Sequence, residues 1–409
     1  MVPSMMMVSA IIFACWLPGA MSAAVDPQQP QEDDDALLGE FQLGNRRFTA
    51  AVYGELLKQK KGNFIVSPFS VETILALTNE GAKGETSEEL VKGLSLPEDR
   101  EKIRQAMKSL LPKLTARNED SQILMANKIY ADNSASLNAD FAEMAKTVYG
   151  SGIENLNFAD NKAAANEINQ WVEKHTDSKI QKLISAEDIT EDMKLVLVNG
   201  LYFDNKWTKP FTVERTARKP FYRQLNDSSD VDMMRQIEYF KYYENTELKA
   251  KFLELNYKGN NVSMVIVLPD ENVGLSALEQ NIEKVLEPQP YEMQRVDLSL
   301  PKFSVESKVQ FVPILENLGV NKLFSDRAEL KGFLSEQVVQ LHVSLIVQKA
   351  FINITETGTR AAAATGVELC PRACSTDEPG DHVFLADRPF LFFIKKCDVV
   401  LFAGKYCNV

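Results

Sequence analysis

Histidine is scarce in this chain of 409 residues. The three that it contains, His175, His342 and His382, lie in no spacing typical of a nucleophile with its base or of a metal site. A hydrolase is therefore disfavoured. We expect a protein that is not an enzyme and that holds no metal.

Three further observations exclude membrane proteins, nucleic-acid-binding proteins and multidomain chains from the expected classes. After the first 24 residues, no stretch approaches the roughly 20 apolar residues of a membrane-spanning helix. The 45 basic residues are outnumbered by 57 acidic ones, and the net charge of −12 disfavours nonspecific binding to nucleic acids. No linker rich in Pro, Gly or Ser and no internal repeat follows residue 35. We expect one monomeric domain over residues 36–409 that binds neither membranes nor nucleic acids.

The amino terminus has the composition of a secretory signal. Residues 1–24 carry no charged side chain, and the apolar run at 11–17 is followed by small residues. The polar and acidic residues 25–35 cannot bury apolar surface, so we expect a flexible tail there. These segments predict a secreted, extracellular protein.

Three asparagines begin N-x-Ser/Thr sequons, namely Asn226, Asn261 and Asn353. In a secreted chain they are candidate glycosylation sites wherever they are exposed. Asn353 is the weakest candidate because its neighbours alternate as in a strand.

The spacing of apolar residues predicts the secondary structure. Helical spacing occurs over residues 36–60, 88–116 and 163–174. The run F-I-V-S-P-F-S-V-E-T-I-L-A-L joins a short strand to a helix that Ser67 or Ser70 caps. Strand patterns follow in M-V-I-V-L-P, V-D-L-S-L-P-K-F-S-V and P-F-L-F-F-I-K-K-C-D-V-V-L-F-A-G. Helices in the first half and strands in the second predict an α+β fold with largely antiparallel sheets.

The segment from Glu356 to Ala373, E-T-G-T-R-A-A-A-A-T-G-V-E-L-C-P-R-A, is typical of a loop that can become a strand. Four consecutive alanines alone favour a helix. However, Gly358 and Gly366 bracket them and Pro371 follows. In an extended chain, side chains alternate between two faces. One face then carries small or apolar residues only: Thr359, Ala361, Ala363, Thr365, Val367 and Leu369.

This segment resembles the hinge and reactive loop of the serpins, the serine protease inhibitor family. Further landmarks of that family occur in order along residues 36–409: S-P-F-S at 67–70, G-A-K-G-E-T at 81–86, V-N-G-L-Y-F-D-N-K-W-T-K-P-F at 198–211, L-P-K-F at 300–303 and R-P-F-L-F-F-I at 388–394. The resemblance implies the serpin fold, with a large, mostly antiparallel central sheet, smaller sheets, a helical cluster and an exposed reactive loop at about 356–388.

The resemblance also implies where the loop is cut. Fourteen residues beyond Gly358 the register reaches Arg372, so the reactive bond joins Arg372 to Ala373. Arg372 is also the only Lys or Arg between Arg360 and Arg388. The implied hinge consists of Glu356, Gly358, Thr359, Ala361, Ala362, Ala363 and Ala364.

Five residues match the region through which the central sheet of the family opens: Ser67, Ser70, Asn199, Trp207 and Gln348. Trp207 matches the point where the incoming strand begins to insert. Gln348 stands where the family often has His. An amide can donate and accept hydrogen bonds as neutral imidazole does. The hydrogen bonds at this position can therefore be kept, whereas a pH response of the kind that histidine gives cannot.

The implied function is inhibition of trypsin-like serine proteases in an extracellular cascade, similar to arthropod serpins of immunity and melanisation. The protease forms an acyl intermediate at Arg372 and is trapped when the loop inserts as a strand. The alternative is a noninhibitory carrier or signalling relative, whose loop is cleaved without trapping.

The cysteines leave several pairings open. Cys370 and Cys374 flank the reactive bond, and a disulfide between them demands a tight turn, because a bridge needs Cα atoms within about 7 Å. Cys397 and Cys407 form the other pair in that arrangement, but four cysteines permit three pairings. Cys370, Cys374 and His382 lack the spacing and the fourth ligand of a metal site.

A glycosaminoglycan such as heparin is a candidate activator. The run R-E-K-I-R-Q-A-M-K-S-L-L-P-K-L-T-A-R places Arg104 and Lys108 on one helix face. Nearby acidic residues favour an ordinary solvated helix instead.

Overall fold

The computed structural model describes residues 29–116, 121–224, 227–259, 261–336, 339–359 and 381–409, except for the side chains of residues 29–35 and 121. The helices are α1 (Gln29–Gln59), α2 (Pro68–Gly81), α3 (Gly84–Gly93), α4 (Arg100–Thr115), α5 (Ala139–Thr147), α6 (Asn161–His175), α7 (Leu275–Glu279), α8 (Ile282–Leu286) and α9 (Val312–Asn317). Within these described ranges, no helix has the length and apolar character needed to span a bilayer.

The strands are β1 (Phe64–Val66), β2 (Ser121–Asp132), β3 (Gly152–Leu156), β4 (Leu195–Asn205), β5 (Ala217–Gln224), β6 (Asp227–Asn245), β7 (Ala250–Asn256), β8 (Val262–Pro269), β9 (Glu292–Pro301), β10 (Phe303–Gln310), β11 (Val343–Ile354), β12 (His382–Leu385), β13 (Phe390–Lys396) and β14 (Val399–Tyr406). The predicted strands therefore occur where the alternating and apolar runs lie, and the predicted α+β class is confirmed.

Two helices differ from the prediction. Helix α1 begins at Gln29, so residues 29–35 of the expected flexible tail are helical. Proline at position 30 suits the first turn of a helix, and the four acidic residues at 32–35 favour a helix amino terminus. The helical pattern over 88–116 is divided into α3 and α4. Pro97 lies in the break, and Asp99 caps α4 by accepting the Glu101 N–H at 2.8 Å.

Helix α2 is buried on every side, which explains its lack of a polar face. Ser67 is its N-cap, and the Ser67 Oγ accepts the backbone N–H of Ser70 at 3.3 Å. Pro68 follows at the first helical position, where a missing N–H has no cost. The predicted cap is therefore Ser67, and α2 runs through the centre of the domain.

A five-stranded sheet lies beside α2, in the order β10-β11-β4-β2-β3. The pairs β10–β11 and β2–β4 are antiparallel, whereas β11–β4 and β2–β3 are parallel. This sheet is thus mixed. We call the parallel β11–β4 pairing the seam; it extends from Val343 opposite Leu195 to Phe351 opposite Tyr202.

A second, nine-stranded sheet has the order β1-β14-β13-β8-β7-β6-β9-β12, with β5 paired to β6. All its pairs are antiparallel except β12–β9, which is parallel. Antiparallel pairing therefore dominates this larger sheet as predicted, whereas the five-stranded sheet, which contains Asn199 and Gln348, is mixed.

The core lies on both faces of the five-stranded sheet. Leu195 and Leu197 of β4 face the cluster that contains α2, and Val196 and Val198 face a second cluster that contains Ile168 and Val172 of α6. A strand covered on both faces is apolar at successive positions instead of alternating. This burial explains the run L-V-L-V in β4.

Candidate functional site

The chain reverses direction where β11 ends. The Thr355 N–H donates to the Gly358 carbonyl oxygen at 2.8 Å, and the Gly358 N–H donates to the Thr355 carbonyl oxygen at 3.3 Å. Gly358 has a φ of +152°, and a Cβ there would lie 2.2 Å from the carbonyl oxygen of Asn205. Glycine alone lets the backbone pass this close to the end of β4. The reversal directs the chain antiparallel to β4.

Thr359, the first residue beyond this reversal, already contacts the sheet. Its N–H donates to the Asn205 carbonyl oxygen at 2.9 Å, and its hydroxyl donates to the Tyr257 hydroxyl oxygen at 2.8 Å. Its side chain is 0 % exposed. Thr359 thus lies on the inward side, as the alternation along the segment predicts.

Trp207 covers this point of the sheet. Its indole Nε1–H donates to the Thr355 carbonyl oxygen at 2.9 Å, and its backbone N–H donates to the Thr357 carbonyl oxygen at 3.0 Å. The indole stacks on the Tyr257 ring with centroids 4.1 Å apart. The structure therefore brings Trp207 and the hinge together, and Tyr257 joins them as a contact that the sequence analysis missed.

Glu356 anchors the turn electrostatically. Its carboxylate pairs with the Lys302 ammonium at 3.1 Å and accepts the Thr216 hydroxyl at 2.9 Å. Burial acts to raise the pKa of Glu356, but its own backbone N–H, Lys302 and Thr216 outweigh burial and lower the pKa. The turn thus carries a fixed negative charge near neutral pH.

Gln348 of β11 holds the start of α2. Its Oε1 accepts the Ser67 N–H at 2.8 Å, and its Nε2 donates to the Ser67 carbonyl oxygen at 2.8 Å. The same Nε2 donates to the Asn199 Oδ1 at 2.6 Å, across the seam. All three side chains are buried. An amide here satisfies groups that would otherwise be buried without partners.

The network continues from Asn199 into β2. Asn199 Nδ2 donates to Ser70 Oγ and to Asn127 Oδ1, each at 2.6 Å. Asn127 Nδ2 donates to the Ser70 carbonyl oxygen at 3.2 Å. The structure therefore brings the predicted Ser67, Ser70, Asn199 and Gln348 into one buried cluster.

Asn127 belongs to this cluster but was not predicted. The available signal was a single amide on the apolar inward face of β2, between Ile123 and Ile129. With Asn127 included, the cluster contains only hydroxyl and amide side chains. None of these titrates near neutral pH, so the cluster itself has no pH response.

Several predicted residues lie outside the described part of the chain. They are the signal residues 1–24, the reactive bond Arg372 and Ala373, the hinge residues Ala361, Ala362, Ala363 and Ala364, the cysteines Cys370 and Cys374, and Asn226. Their roles stay predictions.

The other two sequons differ in exposure. Asn261 is exposed in the connection between β7 and β8, whereas Asn353 is half-buried within β11. The strand position of Asn353 agrees with its rank as the weakest candidate for a glycan.

Cys397 and Cys407 are free thiols in the structure. Cys397 lies in the tight turn between β13 and β14, and Cys407 follows the far end of β14. Eight residues of strand separate Cys407 from Val399 at the turn, or about 26 Å. This exceeds the reach of a disulfide, so the structure rules out the Cys397–Cys407 pairing.

The candidate heparin residues differ in their contacts. Arg104 forms a two-pronged hydrogen bond with the buried Glu80 carboxylate, at 3.2 and 2.8 Å, and also pairs with Glu101. Lys108 is exposed on the same helix. Much of the positive charge of Arg104 is thus already balanced within the protein.

Comparisons with known proteins agree with this geometry. Residues 43–409 match the model of the family described as serpin (serine protease inhibitor). Antichymotrypsin-2 of Bombyx mori is 35% identical over 89% of this chain and 96% of its own length, and antitrypsin of Bombyx mori is 34% identical over 89% and 93%.

A solved structure matches as well. It is the crystal structure of Serpin48, described as a highly specific serpin of the insect Tenebrio molitor. It is 40% identical to this chain, covers 91% of this chain and 98% of its own, and superposes with a TM-score of 0.84. The family is one of protease inhibitors and not of enzymes, and its protein partners are serine proteases. From its landmarks, its fold and these matches, the chain belongs to the serpin family.

Proposed function

We propose that this serpin is a secreted inhibitor of trypsin-like serine proteases, cleaved after Arg372 and trapping the enzyme by insertion of its loop at the seam. The observation that carries the proposal is the position of Thr359. Its backbone bonds to the end of β4, it runs antiparallel to that strand, and its side chain is buried. A further strand would begin at this residue.

The chemistry begins with the serine hydroxyl of the protease. Its oxygen attacks the Arg372 carbonyl carbon, and the protease histidine takes the hydroxyl proton. The C–N bond to Ala373 breaks, and the leaving amine receives that proton. An ester then joins the enzyme to Arg372. Water would release the enzyme unless the loop moves first.

Insertion at the seam improves the pairing of strands. At present β11 and β4 form one parallel ladder. A strand that continues from Thr359 lies antiparallel to both, so two antiparallel ladders replace one parallel ladder. Antiparallel pairing is slightly more stable per residue. Fourteen extended residues would carry the ester-linked enzyme about 46 Å.

Side chains decide how fast the loop can insert. The inward positions Thr359, Ala361 and Ala363 are small, so no large or charged group has to be buried as insertion begins. In an extended chain Arg360 would belong to the opposite face, which we expect to stay exposed. Insertion therefore competes well with hydrolysis of the ester.

The specificity follows from Arg372. A guanidinium suits a protease whose specificity pocket contains a carboxylate. The test mixes the secreted protein with trypsin and separates the products on a denaturing gel. The wild type should form a covalent complex with cleavage after Arg372, read by mass spectrometry. Arg372→Glu should abolish the complex, while the matched control Arg360→Glu should retain it; a complex with Arg372→Glu would refute the assignment.

The same experiment separates the alternative function. A noninhibitory carrier or signalling serpin would be cleaved at Arg372 and release active trypsin. A disulfide between Cys370 and Cys374 would favour this outcome, because both ends of the cut loop would stay tethered. The double replacement Cys370→Ser with Cys374→Ser should then convert cleavage into trapping.

We place the protein in an extracellular cascade of the immune or melanisation type, on the signal-like residues 1–24 and the similarity to insect serpins. Sequencing of the amino terminus of protein secreted by insect cells tests export, since removal of the signal leaves a terminus near residue 25.

Heparin should leave the inhibition rate little changed, because Arg104 is paired with Glu80.

A further inference from the structure

A cleft with a volume of about 800 Å³ opens between the paired strands β5 and β6, helix α7, the connection from β12 to β13 and the end of β14. This volume lies within the range of about 300–1,000 Å³ that is typical of small-molecule sites. Among the described residues, the cleft shares none with the hinge or with the buried cluster at the seam. We call it the polar cleft, after lining residues that include Tyr222, Arg223, Asp227, Glu279, Arg388 and Lys405.

Hydrogen bonds fix the walls of the polar cleft before any ligand arrives. The Arg388 guanidinium donates to the carbonyl oxygens of Pro269 at 3.0 Å and Leu385 at 3.4 Å, which ties the ends of β8 and β12 together. The Tyr222 N–H donates to the Asp387 carbonyl oxygen at 2.6 Å, so β5 is held at the same connection. A ligand that enters therefore loses little affinity to the ordering of the site.

The formal charges of the polar cleft cancel. The Arg223 Nε–H donates to Asp227 Oδ2 at 3.0 Å, and the Lys405 ammonium pairs with Glu279 at 2.8 Å. A charged ligand would meet a like charge beside each opposite one, and it would also lose its hydration. The cleft therefore favours a neutral ligand. Its four basic and four acidic lining residues are Lys61, Arg223, Arg388 and Lys405, and Asp227, Glu271, Glu279 and Asp387.

The lining also requires many hydrogen-bonding groups and an apolar face from its ligand. After forming one ion pair, a carboxylate still offers acceptor sites and a guanidinium still offers N–H donors. Tyr222 is 46 % exposed, and its ring provides a flat apolar surface with a hydroxyl at the edge. Saccharides combine both properties, because their hydroxyl groups donate and accept at the rim of the ring while C–H groups on a ring face pack on an aromatic side chain.

The polar cleft lies beside a candidate glycosylation site. Asn226, which begins the sequon N-D-S, is bonded directly to Asp227 of the cleft. Because the Cα atoms of adjacent residues are about 3.8 Å apart, an N-acetylglucosamine joined to Asn226 would start at the edge of the cleft.

We infer that the polar cleft is a binding site for a neutral saccharide that contains N-acetylglucosamine. Two sources carry this chemistry: the glycan attached to Asn226 of the same chain, and a glycan from outside, either free or on another glycoprotein. In both cases a sugar ring packs on Tyr222, and its hydroxyl groups bond to the carboxylates and guanidiniums of the walls. The inference does not depend on the inhibition of proteases.

The binding test uses secreted protein with Asn226→Gln, which carries no glycan at that position. Calorimetric titration with chitobiose, the disaccharide of N-acetylglucosamine, should show one molecule bound per chain in the millimolar range or below. Tyr222→Ser in the same background should weaken binding by about tenfold, the effect of losing one aromatic contact. The matched control Tyr239→Ser replaces an exposed tyrosine outside the cleft and should leave the affinity unchanged. No heat of binding at millimolar chitobiose, or equal affinities for the two tyrosine variants, would overturn the inference.

A charged analogue tests the requirement for a neutral ligand. The dimer of glucosamine lacks the acetyl groups and carries ammonium groups in their place, so it should bind at least about tenfold more weakly than chitobiose, since the charges of the cleft cancel. Equal affinity for the two dimers would contradict the assignment.

Hydrogen exchange locates the bound sugar. Chitobiose should slow amide exchange in residues 271–276, which approach and enter α7 along the cleft. Slower exchange only in other parts of the chain would overturn the inference.

The source of the saccharide follows from the wild type. If its own glycan fills the cleft, wild-type protein that mass spectrometry shows to be glycosylated at Asn226 should take up no chitobiose, whereas the Asn226→Gln variant does. If the glycan comes from outside, both proteins should bind chitobiose equally. Both outcomes support the site. These measurements contain no protease, so their failure is distinguishable from a failure to trap trypsin.

Discussion

Replacing Gln348 tests how the seam is held closed. Gln348→Leu keeps a side chain of similar size but removes both polar atoms. Three buried groups then lose a partner: the Ser67 N–H, the Ser67 carbonyl oxygen and the Asn199 Oδ1. A buried polar group without a partner costs about 1–3 kcal/mol. Because these bonds belong to one network, their costs do not simply add, and we expect a loss of about 3–5 kcal/mol.

The expected shift in melting temperature follows from the size of the chain. Unfolding entropy of about 2.1 cal/mol/K per residue over about 370 residues is roughly 0.8 kcal/mol/K. The intact variant should therefore melt about 4–6 °C below the wild type. The exposed Gln105 of α4 offers a matched control, and Gln105→Leu should change the melting temperature by less than about 1 °C.

The cleaved protein gives the sharper result. Gln348 and Asn199 are neighbours across the seam, and a strand inserted there separates β11 from β4. The Gln348→Leu variant should therefore lose less stability after cleavage by trypsin than before it. Calorimetry of intact and cleaved samples measures both losses. Equal losses in the two forms would refute the idea that this amide bridges the opening seam.

The remaining predictions concern Thr359 and Glu72. Thr359→Arg places a charge at a buried position beside Tyr257, so trypsin should cut this variant without being trapped. The control Thr359→Ser should still trap trypsin. Equal amounts of covalent complex for the two variants on a denaturing gel would contradict this prediction. Glu72 of α2 is fully buried, and burial, only partly offset by the Asn45 amide, raises its pKa to about 8. The unfolded value is about 4.3, so the native state holds the proton more tightly, and the stability of the wild type falls as pH rises from about 4.3 to about 8. The Glu72→Gln side chain cannot ionise. In urea unfolding, the free energy of unfolding of this variant relative to that of the wild type should therefore rise across that pH window, by about 4 kcal/mol at pH 7. Parallel curves of stability against pH for the two proteins would disprove the raised pKa of Glu72.

The sequence alone predicted much of the hinge. Small residues at alternate positions and Gly358 before them are local properties, and the side-chain period of a strand places Thr359 on the inward face. The cap at Ser67 is equally local, since a hydroxyl before Pro68 meets the first free N–H groups of a helix. The extent of α1 and the break before α4 were less predictable because element boundaries depend on balances of small propensities.

The contacts that hold the hinge could not be found in this way. Trp207, Tyr257 and Thr359 meet from three strands or their ends, and nothing local requires the indole to stack on that ring. Asn127 completes the buried cluster only because β2 lies beside β4 in the sheet.

Local pattern thus determined which segments are strands, which face of the loop carries small residues in an extended chain and which basic residue is the candidate for cleavage. Tertiary structure decided that the loop begins at a parallel seam, and that amides from three strands and a helix cap hold this seam together. The reason is physical: backbone geometry and side-chain period act over a few residues. Burial, pairing and hydrogen-bond partners at distances of more than a hundred residues are set only when the whole chain packs.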